Sequence, residues 1–272
     1  MTGSWLRAMM LGPTARSGRR AANVRWQVLM RRVHACGRRK GDGDVAVSVI
    51  VGGSNGLGRV IAQRLLERGD EVIVTSRSQE RADAVAAEMG GTTRGLAVDL
   101  SNPATIAESL ASVTRVDNLV ITAIDQGINS LKAFNIEHAV AAITTKLVGY
   151  TETVRVLRPH FTPGASVVLF GGLAKERPYP GSTMVTTFNG GVSALVKTLA
   201  AECAPHRVNA VHPGVVGDSP KWRAVANHPA VARTPIGRLV TMDEVADATE
   251  FLLRNGGINA QDLFVDGGIQ IT

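Results

Sequence analysis

From Val45 onward the chain alternates short apolar runs with stretches whose apolar residues recur at helical spacing. The run Val47-Ser-Val-Ile-Val51 reads as a strand and ends in glycines at positions 52, 56 and 58. A helix follows, with Val60, Ile61, Leu65 and Leu66 on one face and Arg59, Gln63, Arg64 and Glu67 on the other. Glu71-Val-Ile-Val-Thr75 forms a second apolar strand that closes on Ser76-Arg77. Beyond it the pattern predicts helices near residues 79–89, 103–112, 135–157, 184–203 and 242–253. Strands are predicted at 93–97, 117–122, 165–170, 207–211 and 263–265. Strands separated by helices imply an α/β fold, a doubly wound parallel sheet with helices on both faces. The Pro- and Gly-containing segment 215–239 reads as a mobile lid.

A strand, a glycine turn, a helix and a second strand within about thirty residues form the βαβ unit of a Rossmann-type dinucleotide site. Gly52, Gly56 and Gly58 let the backbone turn tightly and approach a pyrophosphate, whose charge the helix N-terminus attracts. Ser54, Asn55 and Leu57 complete the turn and are expected beside the same group. The end of the second strand bears on which nucleotide fits. A carboxylate there would bind a ribose 2′-hydroxyl, whereas this chain has Ser76 and then Arg77. A guanidinium grips a 2′-phosphate through charge-assisted bonds, so NADP(H) is expected in preference to NAD(H). The competing reading of Arg77 is a solvated surface arginine.

Composition changes this picture mainly at the N-terminus. The 272 residues carry a net charge of +7, yet residues 1–44 hold ten Lys and Arg against two Asp. That segment is therefore +8 and residues 45–272 are −1 by difference, a balance that gives the body no specific nucleic-acid role. The domain reading is a basic, disordered extension over 1–44 and a nucleotide-binding domain over 45–272. An organelle transit peptide or a start codon set too far upstream are alternatives for the extension. No apolar run is long enough for a membrane helix, so no membrane association is expected. Cys36 and Cys203 stand in no metal-binding or redox motif.

Residues 45–272 resemble the short-chain dehydrogenase/reductase family, in particular its 3-oxoacyl-carrier-protein reductases. The glycines match the family's TGxxxGxG with Val51 in the threonine position. Asp99-Leu100 sits where the family places an Asp beside the adenine, and Asp117-Asn-Leu-Val120 resembles the strand before its NNAG. NNAG itself reads Ile121-Thr-Ala-Ile124, which puts Ala123 at the cofactor. Asn209-Ala-Val-His-Pro-Gly214 resembles the segment bordering the nicotinamide, bringing in Pro213, Gly214 and Val215. Gly237-Arg238, Glu244-Val-Ala246 and Val265-Asp-Gly-Gly268 are similar to the family's C-terminal third. The family's usual threonine after PGxV is Asp218, which would repel a pyrophosphate unless it turns outward and Ser219 substitutes.

The resemblance implies an oxidoreductase that moves hydride to or from a small carbonyl or alcohol substrate. It also implies where the chemistry should sit, and there the chain departs. The family's serine position falls at Gly172, its tyrosine at Val185, its lysine at Asn189 and its asparagine at Lys146. Valine gives no proton and glycine no side-chain donor, which removes factors of about 10²–10⁴ in rate. Lys146 is a candidate substitute, because a lysine in an apolar pocket can have a lowered pKa and donate a proton. A solvated or interface lysine is its alternative. Asn189 can hold the nicotinamide ribose or be a plain helix-face amide. Tyr179, in Lys175-Glu-Arg-Pro-Tyr-Pro-Gly181, can reach a ligand or act as packing, and Ser182 or Thr183 is expected to cap the next helix. Two function classes stand side by side: an NADP(H)-dependent reductase with an atypical site, and a catalytically silent dinucleotide-binding relative serving as sensor or partner subunit. A lyase or isomerase reusing Lys146 is a third. The family resemblance further implies a cytoplasmic homodimer or homotetramer built on the two long helices and the C-terminal strand. Ile143, Leu147 and Val154 face either that contact or the sheet.

Overall fold

The computed structural model of the chain describes residues 45–124, 127 and 129–272. The basic segment 1–44, with Cys36, lies outside the described residues. Val45–Thr272 form one compact unit.

Seven parallel strands carry the unit: β1 Val47–Val51, β2 Glu71–Ser76, β3 Thr93–Ala97, β4 Val116–Ile121, β5 Phe161–Phe170, β6 Arg207–Pro213 and β7 Asp262–Val265. Their order across the sheet is β3-β2-β1-β4-β5-β6-β7. Chain direction across the sheet reverses between β1 and β4, so a crevice opens beyond the carboxyl ends of those two strands. In β1 Val49 stands opposite Ile73 on one side and Leu119 on the other, while the β4–β5 register shifts between Val116 and Asn118. Strands covered on both faces need continuous apolar runs, and every residue of β1 is buried. Ser48, the one polar residue of that run, donates to Asp70 at 2.6 Å.

Helices cover both faces. On one lie α1 Gly56–Glu67, α2 Gln79–Met89 and, from the C-terminal third, a helix over Met242–Arg254. Ile61, Leu65, Val85 and Val245 there meet Ile50, Val74 and Val168 of the sheet. The other face carries α3 Ile106–Ser109, α4 Ile136–Ile143, α5 Gly149–Leu157 and α6 Thr183–Glu202. Tyr150, Val154, Leu157, Val192 and Val196 there meet Val49, Leu119 and Val167. The Met242–Arg254 helix is α7 in chain order. Val154 thus belongs to the core, which corrects the interface alternative for it, while the half-buried Leu147 packs against that core. The helix expected over 103–112 is shorter than its pattern, a 3₁₀ turn at Pro103–Thr105 followed by α3. The helix expected over 135–157 is interrupted, because α4 passes into a π-turn at Thr144–Val148 before α5 begins.

Polar residues fix how α7 sits. Thr241 and Glu244 form a capping box at its start. At its end the buried Arg207 fork donates to the Leu252 and Leu253 carbonyls at 2.7 Å each, and to Ile258 O at 3.3 Å. A guanidinium at a helix C-terminus satisfies orphan carbonyls and meets the negative end of the dipole. Arg207→Leu should therefore cost about 2–3 kcal/mol in a urea melt. Loss of less than about 0.5 kcal/mol would show that the fork contributes nothing.

Candidate functional site

A cleft of about 1420 Å³ opens along the carboxyl ends of the strands, where the sheet order reverses. Every cofactor contact expected from the sequence, from Gly52 to Val215, lines it, as do Lys146, Gly172, Tyr179, Val185 and Asn189.

The glycine turn is built by close approach. Gly52 has φ +88°, and a Cβ there would lie 2.7 Å from the Ala123 backbone nitrogen. A Cβ on Gly58 would lie 2.3 Å from the Gly52 carbonyl oxygen, so α1 is seated against the strand end only because that atom is missing. Thr75 Oγ1 accepts from Gly52 N at 3.1 Å, and Asn55 caps α1 through Gly56 N at 2.8 Å. This leaves the first turn of a twelve-residue helix facing the cleft, a cradle suited to a pyrophosphate. Asp218 turns away from it. Its carboxylate accepts from Met242 N at 2.8 Å at the start of α7, while Ser219 lines the cleft.

Beyond β2, Arg77 is exposed and its guanidinium has no hydrogen-bond or ion-pair partner among the described residues. The same holds for Arg81, on the first turn of α2, which the sequence reading did not single out. Its signal was its place one turn after Arg77 behind the Ser78 cap, whose hydroxyl accepts from Arg81 N. Asp99 is held by Ser101, whose N and Oγ both donate to Oδ1.

On the other side of the crevice, the π-turn carries Lys146 inward. The side chain is 2 % exposed, and Nζ donates to Tyr150 Oη at 3.0 Å. Tyr150 Oη donates in turn to the Ala123 carbonyl at 2.9 Å. The Tyr150 ring lies 4.9 Å from the amine and that of Phe188 6.0 Å. Burial lowers the lysine to about 7 and pushes the Tyr150 phenol up. The reading of Lys146 as a solvated or interface lysine is thereby corrected. Tyr150 had no motif to mark it, and its role depends on being four residues past Lys146 across the turn.

Asn189 is buried on α6, and its Oδ1 is without a hydrogen-bond partner. Its Nδ2 lies where a Cβ on Gly172 would reach 2.8 Å, so the amide fills the space beside that glycine. A buried acceptor with no donor is costly and suits a ligand hydroxyl. Gly172 N donates to His212 Nδ1 at 3.1 Å, which assigns the imidazole proton to Nε2, 2.9 Å from Asp262 Oδ1. Burial acts to raise the Asp262 carboxyl, but hydrogen bonds from His212 and Ser193 and the charge of Lys175 outweigh it and hold the group well below the usual carboxylate range. His212 thus ties the end of β5 to β7, a role its place in Asn209–Gly214 did not reveal. Tyr179 is 56 % exposed at the cleft mouth. Ser182 does not cap α6 as expected. It accepts from Tyr179 N at 2.9 Å and donates to Tyr179 O at 2.7 Å, bracing the loop that presents the phenol.

The buried amine has a consequence for stability. Its folded pKa of about 7 lies below the ordinary 10.5, so the unfolded chain holds the extra proton between those values. Stability should rise with pH across that window, and the penalty is full below it. Lys146→Met should raise stability at pH 6 by on the order of a few kcal/mol, with the gain shrinking towards pH 10. Denaturant melts across the range test this, and a gain independent of pH would refute it.

The comparisons with known proteins agree with this geometry. A family model described as enoyl-(acyl carrier protein) reductase matches residues 51–270. The chain is 29 % identical over 233 residues to carbonyl reductase family member 4 of Danio rerio, covering 83 % of this chain and 98 % of that one. It is 30 % identical over 236 residues to the 3-oxoacyl-[acyl-carrier-protein] reductase of Homo sapiens, again covering 83 % and 98 %. A solved short chain dehydrogenase/reductase family protein superposes with a TM-score of 0.75 at 25 % identity, over 84 % of this chain and 98 % of its own. With the parallel sheet, the glycine cradle and these matches in hand, the chain belongs to the short-chain dehydrogenase/reductase family of oxidoreductases, whose members use nicotinamide dinucleotides.

Proposed function

We propose that this protein is an NADP(H)-dependent reductase of small carbonyl compounds, working with an atypical proton donor. The observation that carries the reading is the pairing of the Gly52–Gly58 cradle with two guanidiniums without partners among the described residues, Arg77 just after β2 and Arg81 on the first turn of α2. The cradle suits a pyrophosphate, the arginines suit a 2′-phosphate, and no carboxylate stands at Ser76 to oppose one. The Asn189 Oδ1, buried and unpaired, suits a hydroxyl of the nicotinamide ribose. On this reading the 45–272 unit is the catalytic domain of a cytoplasmic protein.

The bound nucleotide supplies hydride, and the remaining work falls to the chain. With Gly172 and Val185 beside the cleft, no side-chain hydroxyl is offered at either position. Lys146 lines the same cleft with one hydrogen bond made, so an ammonium proton remains for the substrate oxygen. A donor near 7 is matched to neutral pH. The balance is hydride to the carbonyl carbon, a proton from Lys146 Nζ to its oxygen, and reprotonation of the amine from water. Tyr150, kept protonated by burial, anchors the amine to the Ala123 carbonyl and fixes its direction.

Relatives in this family are commonly oligomeric; α4 exposes Ile136 and Val140, and the π-turn after it exposes Val148. We propose a homodimer or homotetramer that covers this face against the open Gly190 surface of α6. Light scattering should give a multiple of 28.7 kDa, reduced by Val140→Glu. A wild-type monomer would refute it.

The functional reading is tested by fluorescence titration with NADPH and NADH, followed by a screen of ketones, aldehydes and quinones. NADPH should bind at least tenfold tighter than NADH, and Arg77→Ser should remove that preference while leaving NADH affinity unchanged. Lys146→Met should lower kcat by about 10² or more with nucleotide affinity retained. Equal affinities overturn the nucleotide assignment. Binding without turnover of any carbonyl compound would favour the silent sensor, and an unaffected rate removes Lys146 from the chemistry.

A further inference from the structure

Residues 45–272 carry a net charge of −1, yet the cleft lining has the opposite sign. Five cations line it, Arg77, Arg81, Arg177, Lys221 and Arg233, besides the buried amine of Lys146, against the two carboxylates of Asp99 and Glu176. Cations concentrated in a concave, partly apolar site on a nearly neutral body focus a positive potential there. A dinucleotide accounts for only part of them. Its pyrophosphate belongs at the cradle and its extra phosphate at Arg77 and Arg81, both on the β2 side of the crevice.

Arg177 and Arg233 stand on the far side, whereas Lys221 follows Pro220, which approaches the cradle at Gly56. Arg177 follows β5, and Lys221 and Arg233 lie in the connection between β6 and α7. Neither the Arg177 nor the Arg233 guanidinium has a hydrogen-bond or ion-pair partner among the described residues. Glu176 does not neutralise its neighbour, because its carboxylate is held by Lys175 Nζ at 2.7 Å. Lys221 is carried over the Trp222 ring at 4.8 Å, and Trp222 packs edge-on against His228. Arg177 and Arg233 share the cleft lining with the apolar Trp222, Val185 and Ile269, a combination that fits a short carbon skeleton ending in an anion.

We propose that the substrate half of the cleft holds an anion subsite, in which Arg177 and Arg233 bind the carboxylate or phosphate of a small carbonyl substrate. This deepens the reductase reading by naming its substrate class, and rests on it only for the identity of the reacting group. Two guanidiniums from different segments hold the anionic end, so the carbonyl at the other end is oriented toward the cleft floor and Lys146.

The test uses pairs of ligands that differ in charge. Acetoacetate and methyl acetoacetate, and dihydroxyacetone phosphate and hydroxyacetone, are titrated calorimetrically into the full chain, with and without saturating NADP⁺. At least one anion should bind tenfold or more tighter than its neutral partner, and the favoured pair tells carboxylate from phosphate. Arg177→Gln or Arg233→Gln should cut the anion's affinity about tenfold without moving that of the neutral ligand or of NADP⁺. Raising NaCl should weaken only the anion. Equal affinity within both pairs, no binding of any of the four, or a preference surviving in the double variant each overturn the subsite. Should NADP⁺ fail to bind while the charge preference persists in the nucleotide-free protein, the reductase reading falls and the subsite stands. The reverse outcome leaves the reductase and removes the subsite.

Discussion

The contact between Gly58 and the Gly52 carbonyl is the constraint from which the site follows. At 2.3 Å from that oxygen, no Cβ fits without moving either α1 or the end of β1. Because it is missing, the helix begins directly beyond the strand, and its free N–H groups and partial positive charge face the crevice. The same turn brings Gly52 against Ala123 at the end of β4, so the two strands on either side of the reversal in sheet order are locked at their carboxyl ends. Ala123 then offers its carbonyl to Tyr150, and Tyr150 accepts from Lys146. A chain of short contacts thus leads from the glycine turn to the buried amine.

That amine stands out energetically. Most polar side chains inside the unit are matched in charge or hydrogen bonding, as the Arg207 fork and the His212–Asp262 pair illustrate. Lys146 makes one hydrogen bond to a neutral phenol and is displaced inward by a π-turn, itself an uncommon element. Three buried side-chain atoms among the described residues lack partners, and of these only Asn189 Oδ1 lines the cleft. Local departures from good packing and pairing that converge on one crevice are what a ligand site requires, since a ligand must supply what the empty fold omits.

Most of the framework was legible in the sequence because it rests on local signals. The glycine spacing and the apolar runs of β1 and β2 each act over a few residues, and helix 79–89 and strand 93–97 have their expected bounds. Legibility failed where distant elements decide. The π-turn at Thr144–Val148 has no compositional mark, so the direction of Lys146 could not be read from a helical wheel. Ser182 reads locally as a cap, but tertiary placement of the Tyr179 loop gives its hydroxyl better partners. His212 acquires a role only because β5 and β7 flank β6, bringing Gly172 N and Asp262 to opposite nitrogens of one ring.

The topology also explains how one cleft can separate two anionic demands. Strands on the β1–β2–β3 side present a helix N-terminus and the arginines after β2, all fixed to short connections. Strands on the β4–β7 side are followed by longer connections, which carry Arg177, Lys221 and Arg233. A phosphate bound on the first side, as proposed above, would rest on rigid backbone donors. Charge on the second side is carried by side chains on connecting segments, which can vary without disturbing the sheet. Between them stand the buried side chains of Lys146 and Asn189. In such surroundings an amine that can hold or release a proton near neutrality has a larger effect on a developing alkoxide than it would in water.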